Sequence, residues 1–197
     1  MRSGCGRLQP AGSPPDVTGP PARVLALLDD LAAGTTGHRA GRSLATHLVE
    51  TWQVLDGWDA PRHVAVAGLI HSIYGTDAFD VASIGHDPAS RAQVKRIAGP
   101  AAEALAYAFC ALDRRAFLAA PLERSLRDRF TGGAISVTPR QISALAEILL
   151  ANEVDLARAK KSGNAARMAV KVRPVAAALR PVLPRRVVDA LRLLGLG

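Results

Sequence analysis

The chain has 197 residues, 49 % of them apolar and only 4 % aromatic, with a formal net charge of +8. That length fits one domain with room for tails, and the apolar content is ample for a core; the scarcity of aromatics argues against a β-sandwich or barrel and for closely packed helices of Ala, Leu, Val and Ile. The charge does not make the main body a nucleic-acid binder: residues 1–157 hold 15 Lys and Arg against 16 Asp and Glu, while residues 158–197 hold 10 against the single acid Asp189, so the basic character belongs to the tail.

In chain order, residues 1–21 are rich in Gly, Pro and Ser and are expected to form a disordered leader. "ARVLALLDDLAA" (22–33) has helical spacing and ends at Gly34 and Gly37. "SLATHLVETWQVLD" (43–56) offers Ser43 as N-cap and a stripe of Leu44, Leu48, Trp52 and Leu55. "APRHVAVAGLIHS" (60–72) starts with Pro61 in its first turn and is apolar on every side from Val64 to Ile70, as buried helices are. After a loop come "PASRAQVKRIA" and "PAAEALAYAFCALD", two helices divided at Gly99-Pro100. Residues 119–138 read as a flap or short hairpin. The helix over 139–160 is the clearest, with Leu145, Ile148, Leu149 and Leu156 as its core stripe and Asn152 in the middle of it. Beyond Gly163, Pro174, Pro181 and Pro184 forbid one continuous helix. The domain division expected is thus a leader (1–21), a helical domain (22–160) and a basic C-terminal extension (161–197).

Two cysteines, Cys5 and Cys110, make neither a disulfide framework nor a metal knuckle. With no signal-peptide core and no spanning apolar run, the expected location is the cytoplasm. The informative polar residues are those that helical phase turns inward. His47 lies at the edge of its apolar stripe; His71 lies over Ala67 and Gly68, small enough for another helix to approach; Asn152 costs stability unless it is hydrogen-bonded. Singly, each is more often a satisfied structural group. Three of them on three helices point to a pocket. His63 and His86 have no such support and read as surface residues.

His47 on one helix, His71 at the end of the next and Asn152 in a later one resemble the ligand order of the HD-domain superfamily, all-α metal-dependent phosphohydrolases. "HRAGRSLATH" places His38 nine residues before His47 and Gly41 three after His38, a spacing similar to the first motif of the hydrolases that degrade the guanosine tetraphosphate alarmone. More closely, Gly41-Arg42-Ser43-Leu44, His47-Leu48, Thr51, the segment from Ala67 to Thr76 and that from Arg91 to Phe109 look like a family within or near that superfamily, marked by an HS-[IV]-YGT signature. The likeness covers about residues 36–158. It implies an HD-like helical bundle and says nothing of the family's own reaction.

The departures from the superfamily pattern bear on chemistry. Ser72 stands for the Asp of the His-Asp pair, Asn152 for the final Asp, and Gly75-Thr76 for a pair of acids. Hard divalent ions want carboxylates, so ordinary HD phosphohydrolysis is disfavoured. The leading expectation is a small-molecule enzyme in an altered HD-type pocket: His47, His71 and Tyr74 as catalytic groups, with His38, Arg42, Ser72, Thr76 and Asn152 binding a substrate that carries an anionic group. In a variant, His38, His47, His71 and Asp77 hold Fe, Zn or Ni, metals that imidazole suits. The alternatives are an inactive domain that binds a nucleotide or metabolite, and a phosphohydrolase or oxygenase with altered ligands. No nucleic-acid partner is expected. The sequence also allows a homodimer, and "RRVVDALRLLG" allows peripheral membrane contact through a basic amphipathic helix with Val187, Val188, Leu191 and Leu194 on one face.

Overall fold

The computed structural model describes residues 19–33, 43–159 and 165–196. Most of the expected leader, and the two pocket candidates His38 and Arg42, lie outside the described residues. Within them the fold is all-α apart from one small hairpin: α1 (Ala22–Ala33), α2 (Leu44–Asp56), α3 (Arg62–Leu69), α4 (Pro88–Ala98), α5 (Pro100–Ala111), α6 (Arg114–Ala119), β1 (Ser125–Arg127), β2 (Ala134–Ser136), α7 (Pro139–Arg158), α8 (Ala165–Leu179) and α9 (Arg185–Leu193). The strands pair antiparallel with Leu126 opposite Ile135, the hairpin form of the segment expected over 119–138.

Local chemistry sets the helix boundaries. Ser43 caps α2 through its side chain, Asp87 caps α4, and Thr138 and Gln141 form a reciprocal capping box at the start of α7. Between α4 and α5, Gly99 takes φ +93°, a conformation that a side chain would resist, and Pro100 opens α5. The third helix is shorter than its apolar run. It ends at Leu69, and Ile70 to Tyr74 continue as turns rather than as helix.

Central to the molecule is α7, which packs against α2, α3, α5 and α8. Thirteen of its residues are buried, on every side of the helix. A single apolar stripe therefore describes it poorly: Leu145, Ile148 and Leu149 are in the core as expected, but Leu156 is 44 % exposed, and Asp155, one position earlier, is 1 % exposed. The α2–α3 pair is drawn together at Gly68, where a Cβ would overlap the Cδ1 methyl of the fully buried Leu55 and meet Thr51 Cγ2 at 3.8 Å.

Residues 165–196 are not a loose appendage. Val172, Leu179, Val187 and Leu191 belong to the same buried cluster as the rest of the core. Pro174 lies inside α8 rather than ending it, and the break falls at residues 180–184 instead. On α9 the apolar face is occupied within the chain by Val187 and Leu191, whereas Leu193 and Leu194 are exposed. Arg186 anchors the helix: its Nη2 donates to Glu147 Oε2 on α7 at 2.6 Å and its Nε to the carbonyl of Asp59 at 3.0 Å. Asp59 lies between α2 and α3 with φ +54°. No helix among the described residues is long and apolar enough to cross a membrane.

Candidate functional site

The burial of Leu48, Thr51, Trp52 and Leu55 fixes the rotation of α2, and this leaves the neighbouring His47 at the rim of the core, its side chain 16 % exposed. Thr51 Oγ1 bonds back to the His47 carbonyl at 2.9 Å, so the hydroxyl beside the ring is engaged by the helix itself. His71 follows the end of α3 and is 2 % exposed. Its Nδ1 lies 2.7 Å from the Gly68 carbonyl oxygen, one of the carbonyls that a helix C-terminus leaves without a partner. The early end of α3 and the position of the imidazole thus have one cause.

These contacts assign the ring protons. A carbonyl only accepts, so His71 Nδ1 carries the hydrogen and Nε2 of the neutral ring is a lone pair. His47 Nδ1 lies 2.6 Å from Asp155 Oδ2, and a carboxylate also only accepts, so His47 donates there. The two Nε2 atoms then face each other at 3.2 Å, with the rings edge to face. Two lone pairs at that separation repel. The arrangement calls for one positive charge between them, a proton or a metal ion. Burial, and next the neighbouring His47, lower the His71 pKa from 6.5 to about 3, so the His71 ring is neutral at neutral pH and presents Nε2 as an acceptor.

Asn152 and Asp155, one turn apart on α7, face the same histidine pair. The Asn152 side chain lies beside His71, and its Nδ2 donates to Glu153 Oε1 at 3.2 Å. That carboxylate also receives Arg114 Nη2. A path of polar side chains, hydrogen-bonded on either side of the Asn152–His71 step, therefore runs from the partly exposed Arg114 and Glu153, past Asn152, to His71, His47 and Asp155. Phe109 closes against His71 with ring centroids 5.2 Å apart. Cys110 Sγ donates to the His71 carbonyl at 3.0 Å; burial pushes its thiol pKa up to about 12, so it is inert at neutral pH.

Of the residues expected in the pocket, His47, His71 and Asn152 come together. Ser72 is buried beside His71, and its Oγ has no hydrogen-bond partner among the described residues. Three others are engaged elsewhere. The hydroxyl of Tyr74 donates to Glu103 Oε1 at 3.2 Å, and burial raises its pKa far above the ordinary phenol range, so it belongs to a second network. There the fully buried Glu103 also takes Arg91 Nε at 2.6 Å, Arg91 stacks 3.5 Å over Tyr107, and Tyr107 donates to Asp128 at 2.8 Å. Thr76 Oγ1 accepts from the Phe79 N–H at 3.0 Å, closing a turn. Asp77 is exposed and accepts the Arg114 N–H at 3.0 Å; its carboxylate serves the start of α6 and is no ligand partner of the histidines here. His63 and His86 are exposed, as expected.

Asp155 is the site residue that the sequence reading missed. It sits three positions after Asn152, a spacing that puts it on the same side of a helix, but ideal phase favours Leu156, and "NEVD" looks like the solvated end of an amphipathic helix. Among the described residues no group of three His, Cys, Asp or Glu side chains converges in metal-binding geometry. Hard cations such as Mg²⁺ do not fit this donor set, because Asp155 faces His47 and the other neighbours, Ser72 and Asn152, are neutral. A borderline ion suits it better, since both imidazoles are oriented through Nδ1 by an acceptor, as metal-bound histidines are.

A family model described as a domain of unknown function (DUF6817) matches residues 27–114. The match spans His47, His71 and Ser72, and stops before Asn152 and Asp155. No curated protein and no solved structure matches the chain.

Proposed function

We propose that the chain is a small-molecule enzyme built on an HD-like helical bundle, in which Asp155, His47 and His71 perform acid–base chemistry. The observation that carries this reading is the pair of Nε2 atoms facing at 3.2 Å, each ring fixed by an acceptor at its Nδ1. His47 is the proton donor and acceptor toward substrate, because its ring reaches solvent while His71 is enclosed; with Nδ1 held by Asp155, it acts through Nε2 when a substrate group takes the place of His71 there. Asp155 holds the tautomer and stabilises the imidazolium. His71 accepts the shared proton and restores it. The order of the groups along the chain supports the HD-like reading, with Asp155 supplying the later-helix carboxylate one turn beyond the position where the family resemblance puts it. Arg114, at the outer end of the polar path, gives an anionic substrate group a point of attachment.

A second reading draws on the same distance. Two nitrogens bound at about 2.0–2.1 Å to one tetrahedral ion lie about 3.3 Å apart, so His47 and His71 would hold Zn²⁺, Fe or Ni through Nε2, and the ion would act as a Lewis acid.

Depletion of small molecules from a metabolite extract, followed by mass spectrometry, tests both. The wild-type chain is expected to consume at least one compound, with the depletion unchanged by a chelator and lost in His47→Ala, His71→Ala and Asp155→Asn. Loss of depletion on chelation, with metal bound stoichiometrically to wild type and absent from His71→Ala, selects the metal reading. No depletion by wild type under any condition defeats the enzyme and leaves a binding domain.

A further inference from the structure

Away from the histidines, α8 and α9 enclose a cleft of about 280 Å³. Its walls include Ala176, Leu183, Leu191 and Leu196, and two guanidinium groups, Arg173 and Arg180, stand in the lining with no acid among the lining residues. Ala176 and Ala177 on α8 line it together with Val188 and Leu191 on α9, and side chains as small as alanine leave the space unfilled. Leu196 completes its lining. Gly195, at φ +67°, lets the Leu196 N–H reach Leu191 O at 2.8 Å and the Gly195 N–H reach Arg192 O at 3.0 Å, a Schellman turn that tucks Leu196 against the core at 3 % exposure. Arg173 Nη2 donates to the Gly195 carbonyl at 2.7 Å.

The electrostatics are one-sided. Asp189 is the single acid in residues 158–197, and it is taken by Arg192 at 2.6 Å and by Arg185 at 3.6 Å. The guanidinium of Arg180 has neither a hydrogen bond nor an ion pair among the described residues. An apolar cleft with an unneutralised guanidinium in its lining matches a molecule that has an apolar chain and an anionic head. The volume lies just under the lower end of the range for drug-sized ligands, about 300 Å³, so the chain is short or only partly enclosed.

From this we infer that the α8–α9 cleft binds a small anionic amphiphile, a carboxylate or phosphate on an alkyl chain, with Arg180 and Arg173 meeting the head and Leu183, Leu191 and Leu196 the chain. The inference is independent of the histidine site. Calorimetric titration of the full chain with octanoate and octyl phosphate is expected to show one saturable site. Octanol, which lacks the charge, and acetate, which lacks the chain, are expected to bind at least about tenfold more weakly. Arg180→Glu is expected to weaken octanoate by about tenfold or more, and Ala177→Phe to abolish it by filling the cleft. Both positions are exposed, and unchanged thermal melts establish that the variants fold. Co-sedimentation with phosphatidylglycerol vesicles, lost in Ala177→Phe, identifies the source as a lipid; octanoate binding without sedimentation identifies a free metabolite. Octanol binding as tightly as octanoate, or Ala177→Phe binding octanoate like wild type, would overturn the assignment.

Discussion

His71 places a titratable ring where water does not reach, and its ionisation is therefore coupled to folding. The folded pKa is lowered from 6.5 to about 3, by burial first and by His47 second. The unfolded chain thus binds the proton more readily than the folded one, and the contribution to stability is present above pH 6.5 and is lost as the pH falls toward about 3. Thermal melts across that interval should show wild type losing stability on acidification more steeply than His71→Gln; identical slopes would show that His71 is not the coupled group. At the same scale, the orphan Ser72 hydroxyl adjoins a ring whose every polar atom is engaged. The sequence showed His47, His71 and Asn152 as inward groups because each interrupts an apolar face. It hid the roles of Tyr74 and Thr76, since a hydroxyl in a loop carries no sign of which partner the fold will bring to it. Glu103, alone in the apolar "PAAEALAYAFCA", was the available clue to the partner of Tyr74.

Helix contacts decide how far apart the two histidines stand, and the contact that matters most is α2 on α3. Gly68 contributes its carbonyl to His71 and its missing side chain to the approach of Leu55. Gly68→Ala would gain up to about 1 kcal/mol of helix propensity, but the new methyl overlaps a leucine that is itself closed in by the core. Overpacking of this kind costs about 1–3 kcal/mol, so the net effect is destabilisation. Urea unfolding should show a lower midpoint, partly restored by Leu55→Val in the same chain; a Gly68→Ala midpoint at or above wild type would mean that Leu55 moves freely. Helix positions were legible from capping residues, prolines and apolar spacing, most clearly at Ser43 and Gly99-Pro100. The rotation of α7 was not, because a helix packed on four others has no single buried face for periodicity to reveal, and Asp155 was lost with it.

Over the whole of the described residues, α9 is tied to the centre of the fold where Arg186 meets Glu147 and the Asp59 carbonyl. Burial raises the Glu147 pKa from 4.5 to about 7, against the opposing pull of Arg186. For a carboxyl raised in this way the stabilising contribution is complete below pH 4.5 and disappears as the pH rises through about 7, the reverse of the His71 effect. Wild type should therefore lose melting temperature across that interval relative to Glu147→Gln, and parallel curves for the two proteins would refute the coupling. The basic tail read as an extension because its charge differs so sharply from that of the body. Charge patterning reports the solvent side only, and the buried Val172, Leu179, Val187 and Leu191 that bind it to the core are too widely spaced among arginines and prolines to stand out.

The Arg186 clamp also bears on the order in which the protein folds. It joins residues 127 positions apart, and the His47–Asp155 bond spans 108, separations unusual in helical proteins, whose speed of folding comes from local contacts. Neither bond can form until most of the chain has been made. The helices draw on contacts within each segment, whereas the His47–Asp155 bond waits for α2 and α7 to meet and the Arg186 clamp for α9 to reach the turn between α2 and α3.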